Sequence, residues 1–431
     1  MKLLRVLSAG LLLAAVGCAD DEESATLPCN VSSRACQKAV FRATAAARGQ
    51  PGAQLPNVRV ITRKVLAEEL QSEFDDSASM LDVAEALRGR QSQQAMALLH
   101  LMPEPAEQSS DDAYVEQAVN GIAAYYSSYS KDITIIADQA EDVENGTFTL
   151  SHEFVHALQD QRVGLNAWRK PLVTTSDDSV STKSLTEGEA VWLSYVTYYG
   201  AVHDARPEDI AIERIFPPML SGFLGQIEES SAPFINALET LPYPMGGRQV
   251  SHLYLASGEA AVSRLYAEPR LTLREWADAE VGELPEALEC DVPAAPEGYT
   301  RILSDRLGFA GLLSFHTGLG WDGATAYAGA LPWRADEVVG YASMADPEAV
   351  VVAWRVRLET AVDANAVALL ARDADLVAVT KGAEALIVGA TSAGLLDTWL
   401  PFEGCVSNDK GRAEGARGRL QTLAEKLGIE R

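Results

Sequence analysis

The stretch Thr149-Leu150-Ser151-His152-Glu153-Phe154-Val155-His156-Ala157-Leu158-Gln159-Asp160-Gln161 reads as helix, and its two histidines govern how the rest of the chain is read. At about 100° per residue, side chains four apart return to one face a turn apart, so both imidazoles can ligate one zinc ion. Glu153, beside the first histidine, is then close enough to take a proton from a water at that metal. The chain carries only six histidines, which makes a chance HExxH rare. The plain alternative is a helix surface bearing two unrelated histidines.

A formal net charge of −26, from 61 acidic against 35 basic side chains, repels phosphate backbones and argues against nucleic acid as a partner. The 431 residues, 47% of them hydrophobic, suffice for a large core or more than one domain. Lys2 and Arg5 followed by the apolar run from Val6 to Val16 form a signal peptide, residues 1–17. Ala15-Val16-Gly17-Cys18 resembles a bacterial lipobox, which implies lipidation of Cys18 and attachment to the membrane of the cell envelope; cleavage without lipidation is the alternative. Setting Cys18 aside leaves Cys29, Cys36, Cys290 and Cys405, an even number that suggests two disulfides with three connectivities. Cys29 with Cys36 and Cys290 with Cys405 is the preferred pairing.

Residues 18–55 are acidic and rich in small side chains, as in a tether from the lipid, ending near the Gly49-Gln50-Pro51-Gly52 break. Strands are expected at Val58 to Thr62 and at the β-branched run from Asp132 to Ala137, with helix from Arg63 to Met102. The strand before the HExxH segment could offer its edge to an extended peptide or be buried sheet core. A loop from Thr174 to Lys183 leads into a second helix, Leu185 to about Val202. Pro285 to Pro296 reads as a linker. Beyond it Leu303 to Phe315 reads as helix, Val338 to Ala342 and Val350 to Leu358 as strands, Ala361 to Ala371 as helix, and Leu376 to Val388 as a hairpin turning at Lys381-Gly382.

A catalytic zinc usually takes three protein ligands and keeps one position open. The second helix supplies Leu185-Thr186-Glu187-Gly188-Glu189-Ala190, and its two glutamates point about 200° apart, so only one can complete the set. Glu187-Gly188-Glu189-Ala190 is similar to the EGxA sequence of gluzincin metallopeptidases, whose first glutamate binds zinc; the resemblance implies Glu187. His152 through Gln161 further resembles the HELxHALQDQ segment of a group of predicted microbial extracellular metallopeptidases. Gly121 to Tyr126 is similar to that group's GxxGFY, and Pro242-Tyr243-Pro244-Met245-Gly246 with Val250 to its PYxxGxxFV. Gly320-Trp321-Asp322-Gly323 is similar to its GWxGD, with Ala324 in place of the aspartate. Arg274-Glu275-Trp276-Ala277 stands where that group has an HP pair.

The resemblance implies an α+β, zincin-like protein: a helix-rich catalytic core with a small sheet at residues 56–284, and a mixed α/β region at 285–431. The implied activity is hydrolysis of peptide bonds with Glu153 as general base. Zincins of this kind add a Tyr or His hydrogen bond to the oxyanion, and Tyr243 and His252 are the candidates. Asp160, a turn beyond His156, either orients a ligand histidine or caps or pairs elsewhere. On a continuous helix His203 lies about 24 Å from Glu187, too far to join the site. His100 and His316 read as isolated. The rival from another class is a non-catalytic, lipid-anchored envelope protein with a structural or degenerate zinc site. A serine hydrolase is excluded, since Ala390-Thr391-Ser392-Ala393-Gly394 has no histidine after it.

Overall fold

The computed structural model describes residues 25–80, 83–105, 119, 121–295, 297–392 and 395–396. The expected signal segment, Cys18 and Cys405 lie outside these. Helices of eight residues or more among the described residues are α1 (Arg34–Ala47), α2 (Arg63–Met80), α3 (Val83–Leu98), α4 (Val143–Val163), α5 (Ser176–His203), α6 (Phe216–Glu229), α7 (Pro233–Thr240), α8 (Pro242–Ser257), α9 (Gly308–Gly318), α10 (Gly323–Ala330) and α11 (Ala361–Asp373). Strands β1 (Asn57–Ile61), β2 (Ala124–Tyr126) and β3 (Asp132–Ile136) form one sheet in the order β1-β3-β2. β4 (Tyr299–Asp305), β5 (Trp333–Ser343), β6 (Val350–Leu358), β7 (Val377–Lys381) and β8 (Glu384–Ala390) form an antiparallel sheet in the order β4-β5-β6-β8-β7. The class is α+β. No described helix is long and apolar enough to cross a membrane.

The HExxH stretch is the middle of α4. Asp142 starts this helix by accepting from the backbone of Glu144 and Asn145, and Gly164, at φ 67°, ends it. Leu150, Phe154 and Leu158 recur every four residues and are fully buried, about 180° around from the histidines. They pack on Ile133 and Ile135 of β3 and on Val40 and Phe41 of α1. Burying each such side chain stabilises the fold by about 1.5–3 kcal/mol. One apolar stripe thus fixes the rotation of α4 and turns the histidines toward α5.

α1 corrects the expectation of a tether. Cys36, Val40, Phe41 and Ala45 are buried in the core beneath α4, and the Cys29–Cys36 disulfide closes the loop before them. The small-residue composition that suggested a tether conceals a helical stripe at these positions.

The second helix also begins earlier than expected. Thr175 and Asp178 form a capping box, so the hydroxyl-rich segment expected as a loop is the first two turns of α5. Several of the buried hydroxyls of this helix are satisfied by the helix's own carbonyls. Thr182 donates to Asp178 O, Ser184 to Val180 O and Thr186 to Lys183 O.

The expected helix from Leu303 splits: Tyr299–Asp305 is strand, and α9 begins only where the backbone N–H groups of Leu307 and Gly308 donate to the buried Asp336 carboxylate. Residues on both sides of the expected linker share one core, in which Leu307, Phe309 and Phe315 pack with Val191, Trp192 and Phe216. The strands expected at 58–62, 132–137, 338–342 and 350–358 and the hairpin at 376–388 are present, with ends shifted by a few residues.

The close crossing of α5 and α8 depends on two glycines. A Cβ on Gly188 would lie 2.3 Å from the Gly246 carbonyl carbon, and one on Gly246 would lie 1.9 Å from the Ser184 oxygen. Only glycine at both positions lets the backbones approach this closely. Gly188 directly follows Glu187, and Gly246 lies one turn after Tyr243, so the contact sets the distance between those two side chains.

Candidate metal centre

His152, His156 and Glu187 each offer one ligand atom, and these atoms all lie within 4.8 Å of one another. His152 Nε2 is 3.2 Å and His156 Nε2 3.3 Å from Glu187 Oε2, and the two Nε2 atoms are 3.1 Å apart. The side chains are 14%, 13% and 14% exposed, so the cluster opens to solvent on one side. Two imidazoles and one carboxylate are a donor set that could hold a metal ion, with room for a further ligand on the open side. Burial by itself would raise the Glu187 carboxyl, but the attraction of His156 and His152 outweighs it and holds the group well below the usual carboxylate range.

Glu153 is buried beside this cluster. Burial pushes its carboxyl up, against the pull of His152 and His156, and the nearby Tyr126 backbone N–H favours its charged form. That N–H brings the small sheet to the site. β3 pairs with β1 on one side and β2 on the other, so it has no open edge. In the antiparallel pair, Ser127 N donates to Asp132 O and Ile136 N to Ala123 O, so the backbone groups of Ala124 and Tyr126 point outward. The edge that meets the cluster is therefore β2.

Tyr243 enters from the first turn of α8. Its ring stacks on His152 at 6.2 Å between centroids, and its phenol faces the Glu187 charge. The nearby Glu187 charge, then burial, raise the phenol well above its usual value, so it stays a proton donor. His252 is not brought to the cluster: its Nε2 lies 3.4 Å from Glu213, and its side chain is 51% exposed. Nine residues separate it from Tyr243, which on one helix means opposite faces and about 13 Å of rise. The two oxyanion candidates could not both have faced the site.

Asp160 does not hold a ligand histidine. It accepts from the Tyr126 hydroxyl at 2.6 Å, from Lys131 at 2.5 Å and from the Leu165 backbone. The partner of His156 Nδ1 is Gln159 Oε1 at 2.9 Å. Gln159 Nε2 in turn donates to Thr186 O at 2.8 Å and to Glu189 at 3.0 Å. Glu189, the glutamate left out of the expected ligand set, is not at the surface: it forms a buried two-pronged pair with Arg48 at 3.0 and 3.1 Å, the side chains 0% and 1% exposed. Tyr266 also donates to it. Gln159 carried a readable signal, since it follows His156 by three residues on the same face. Arg48 carried none.

His316 is buried and stacked on Trp321 at 4.7 Å, and His203 sits among Tyr198 and Tyr199 at the far end of α5. Neither reaches the cluster. In comparisons with known proteins, the chain matches no family model, no curated protein and no solved structure.

Proposed function

We propose that this protein is a gluzincin-like zinc metallopeptidase acting at the cell envelope, with a peptide or protein as substrate. The observation that carries the reading is the convergence of His152, His156 and Glu187 with Glu153 beside them and the Tyr243 phenol against Glu187. A structural metal site has no need of a carboxylate base next to its ligands or of an open side. Bound zinc would acidify water and polarise a carbonyl. Glu153 takes the proton of the attacking water as the C–O bond forms, then delivers it to the amine as the C–N bond breaks. Tyr243 donates to the oxygen on which charge develops. Of the outward backbone groups of β2, those of Ala124 and the Tyr126 carbonyl suit an extended peptide, which would lie antiparallel or parallel along that edge.

The test combines metal analysis with Glu153→Gln. The expected result is one zinc per chain in both proteins, with cleavage of casein lost in the variant. Cleavage unchanged in a zinc-loaded Glu153→Gln protein refutes the mechanism, and absence of zinc binding in the unaltered protein refutes the ligand assignment.

A further inference from the structure

The Arg48–Glu189 pair is more than a strut between the N-terminal helix and the core, because it sets the direction of a hydrogen-bonded chain that ends on a metal ligand. Gln159 has a carbonyl oxygen and an amino group that are nearly interchangeable in shape, so its surroundings decide which way it points. On one side it faces two acceptors, the Thr186 carbonyl at 2.8 Å and a Glu189 oxygen at 3.0 Å. Reversed, the amide would set oxygen against both and lose both bonds. The amino group must therefore face them, and Oε1 must face His156 Nδ1 at 2.9 Å. An acceptor at Nδ1 requires the proton there. The lone pair of neutral His156 is then on Nε2, the atom 3.3 Å from Glu187 in the ligand cluster.

Glu189 can play this part only as an acceptor, and Arg48 holds it so with two parallel N–H bonds. Arg48 also donates to Leu158 O on the HExxH helix itself, which fixes the guanidinium relative to that helix. We propose that Arg48 and Glu189 are positioning residues that, through Gln159, lock His156 in the Nδ1–H tautomer required for metal binding through Nε2. The second glutamate of Glu187-Gly188-Glu189 thus serves the other metal ligand. It also means that the segment before residue 56 is part of the centre it precedes. The inference rests on the metal-site reading above; without metal, burial is outweighed by Glu187 at 3.3 Å, which raises His156 to about 9, so the tautomer is that of the neutral ring above this pH.

The experiment uses 15N-histidine-labelled full chain without metal, and zinc titration by calorimetry. In the unaltered protein, read above about pH 9 where His156 is neutral, this residue should show the Nδ1–H signature. The double variant Arg48→Met with Glu189→Met replaces a buried pair by apolar side chains of similar bulk and should fold, as checked by circular dichroism. In it, His156 should give a mixture of tautomers, and zinc should bind about 10–100-fold more weakly. Gln159→Leu, which cuts the chain at one link, should give the same pair of changes. A folded variant of either kind with the unaltered tautomer and zinc affinity overturns the proposal. If the unaltered protein takes up no zinc yet shows the tautomer that the variants lose, the metal reading fails and the positioning chain stands.

Discussion

Replacing Gly188 by alanine tests how Tyr243, the proposed oxyanion donor, is positioned. Two opposed effects follow from the substitution. Alanine stabilises a helix interior by up to about 1 kcal/mol relative to glycine. Against this, the new Cβ would lie 2.3 Å from the Gly246 carbonyl carbon and 2.7 Å from its Cα and oxygen. Ordinary carbon contacts begin near ~3.5 Å, so α5 and α8 must part by about 1 Å. The obstacle is backbone, so no rotamer change relieves it, and overpacking of this kind costs about 1–3 kcal/mol. The net expectation is a loss of up to about 2 kcal/mol, a few degrees in Tm for a chain of this size. Activity should suffer more. Tyr243 sits on α8 and Glu187 on α5, so parting the helices withdraws the phenol, and a 1 Å misplacement can cost about 100-fold in kcat/KM. Zinc content should hold, because the three ligands lie on α4 and α5. Gly225→Ala in α6 is the control, since nothing lies within 4 Å of its added Cβ; it should keep full activity and melt no lower. Thermal melts, zinc analysis and peptide kinetics on both variants decide the matter. Gly188→Ala with unaltered Tm and kcat/KM would refute the reasoning that this contact sets the site.

Three further outcomes are expected. Tyr243→Phe should lower kcat by about 100–1,000-fold, as loss of an oxyanion donor does, with KM and zinc content little changed; an unchanged kcat removes Tyr243 from the mechanism. Phe154→Ala, at a fully buried position between α1 and α4, should cost about 3–5 kcal/mol in denaturant unfolding, and a loss below about 1 kcal/mol would show that this core is not packed as described. His316 is held neutral by burial, its pKa lowered from 6.5 to about 4. Its contribution to stability is therefore complete above about pH 6.5 and disappears as pH falls toward 4, by about 3 kcal/mol in all. His316→Phe, which can keep the stacking on Trp321, should flatten that part of the stability–pH curve, and an identical slope in the two proteins would exclude the effect.

What could be read from the chain itself, and what could not, divides along the range of the interactions. The pairing of His152 and His156 is set by one helix and a spacing of four, both local, and the β-branched runs at 132–137 and 350–358 declare their strands in the same way. Where a local pattern misled, a tertiary partner had altered its meaning. Residues 174–183 resemble a loop until α5 begins there, with Thr182 donating to the helix's own Asp178 carbonyl and Ser176 and Ser181 to Asp305 and the Arg270 carbonyl. Leu303 to Asp305 has helical composition but pairs along β5. Tyr243 and His252 were equal candidates as residue types, and only the rotation of α8 separates them, a rotation fixed by the contact of Gly246 with α5. The polar support of the site was hidden most completely. Arg48 meets Glu189 across 141 positions, and nothing near Arg48 in the chain announces a carboxylate partner. Yet the second glutamate could have been questioned on chemical grounds. A carboxylate two residues from a ligand, on the inward half of a helix crossing the HExxH helix, has to find a cation or a set of donors inside the protein. A buried charge therefore predicts a distant partner even when the sequence cannot say which one. Here that partner comes from the segment whose composition suggests a tether.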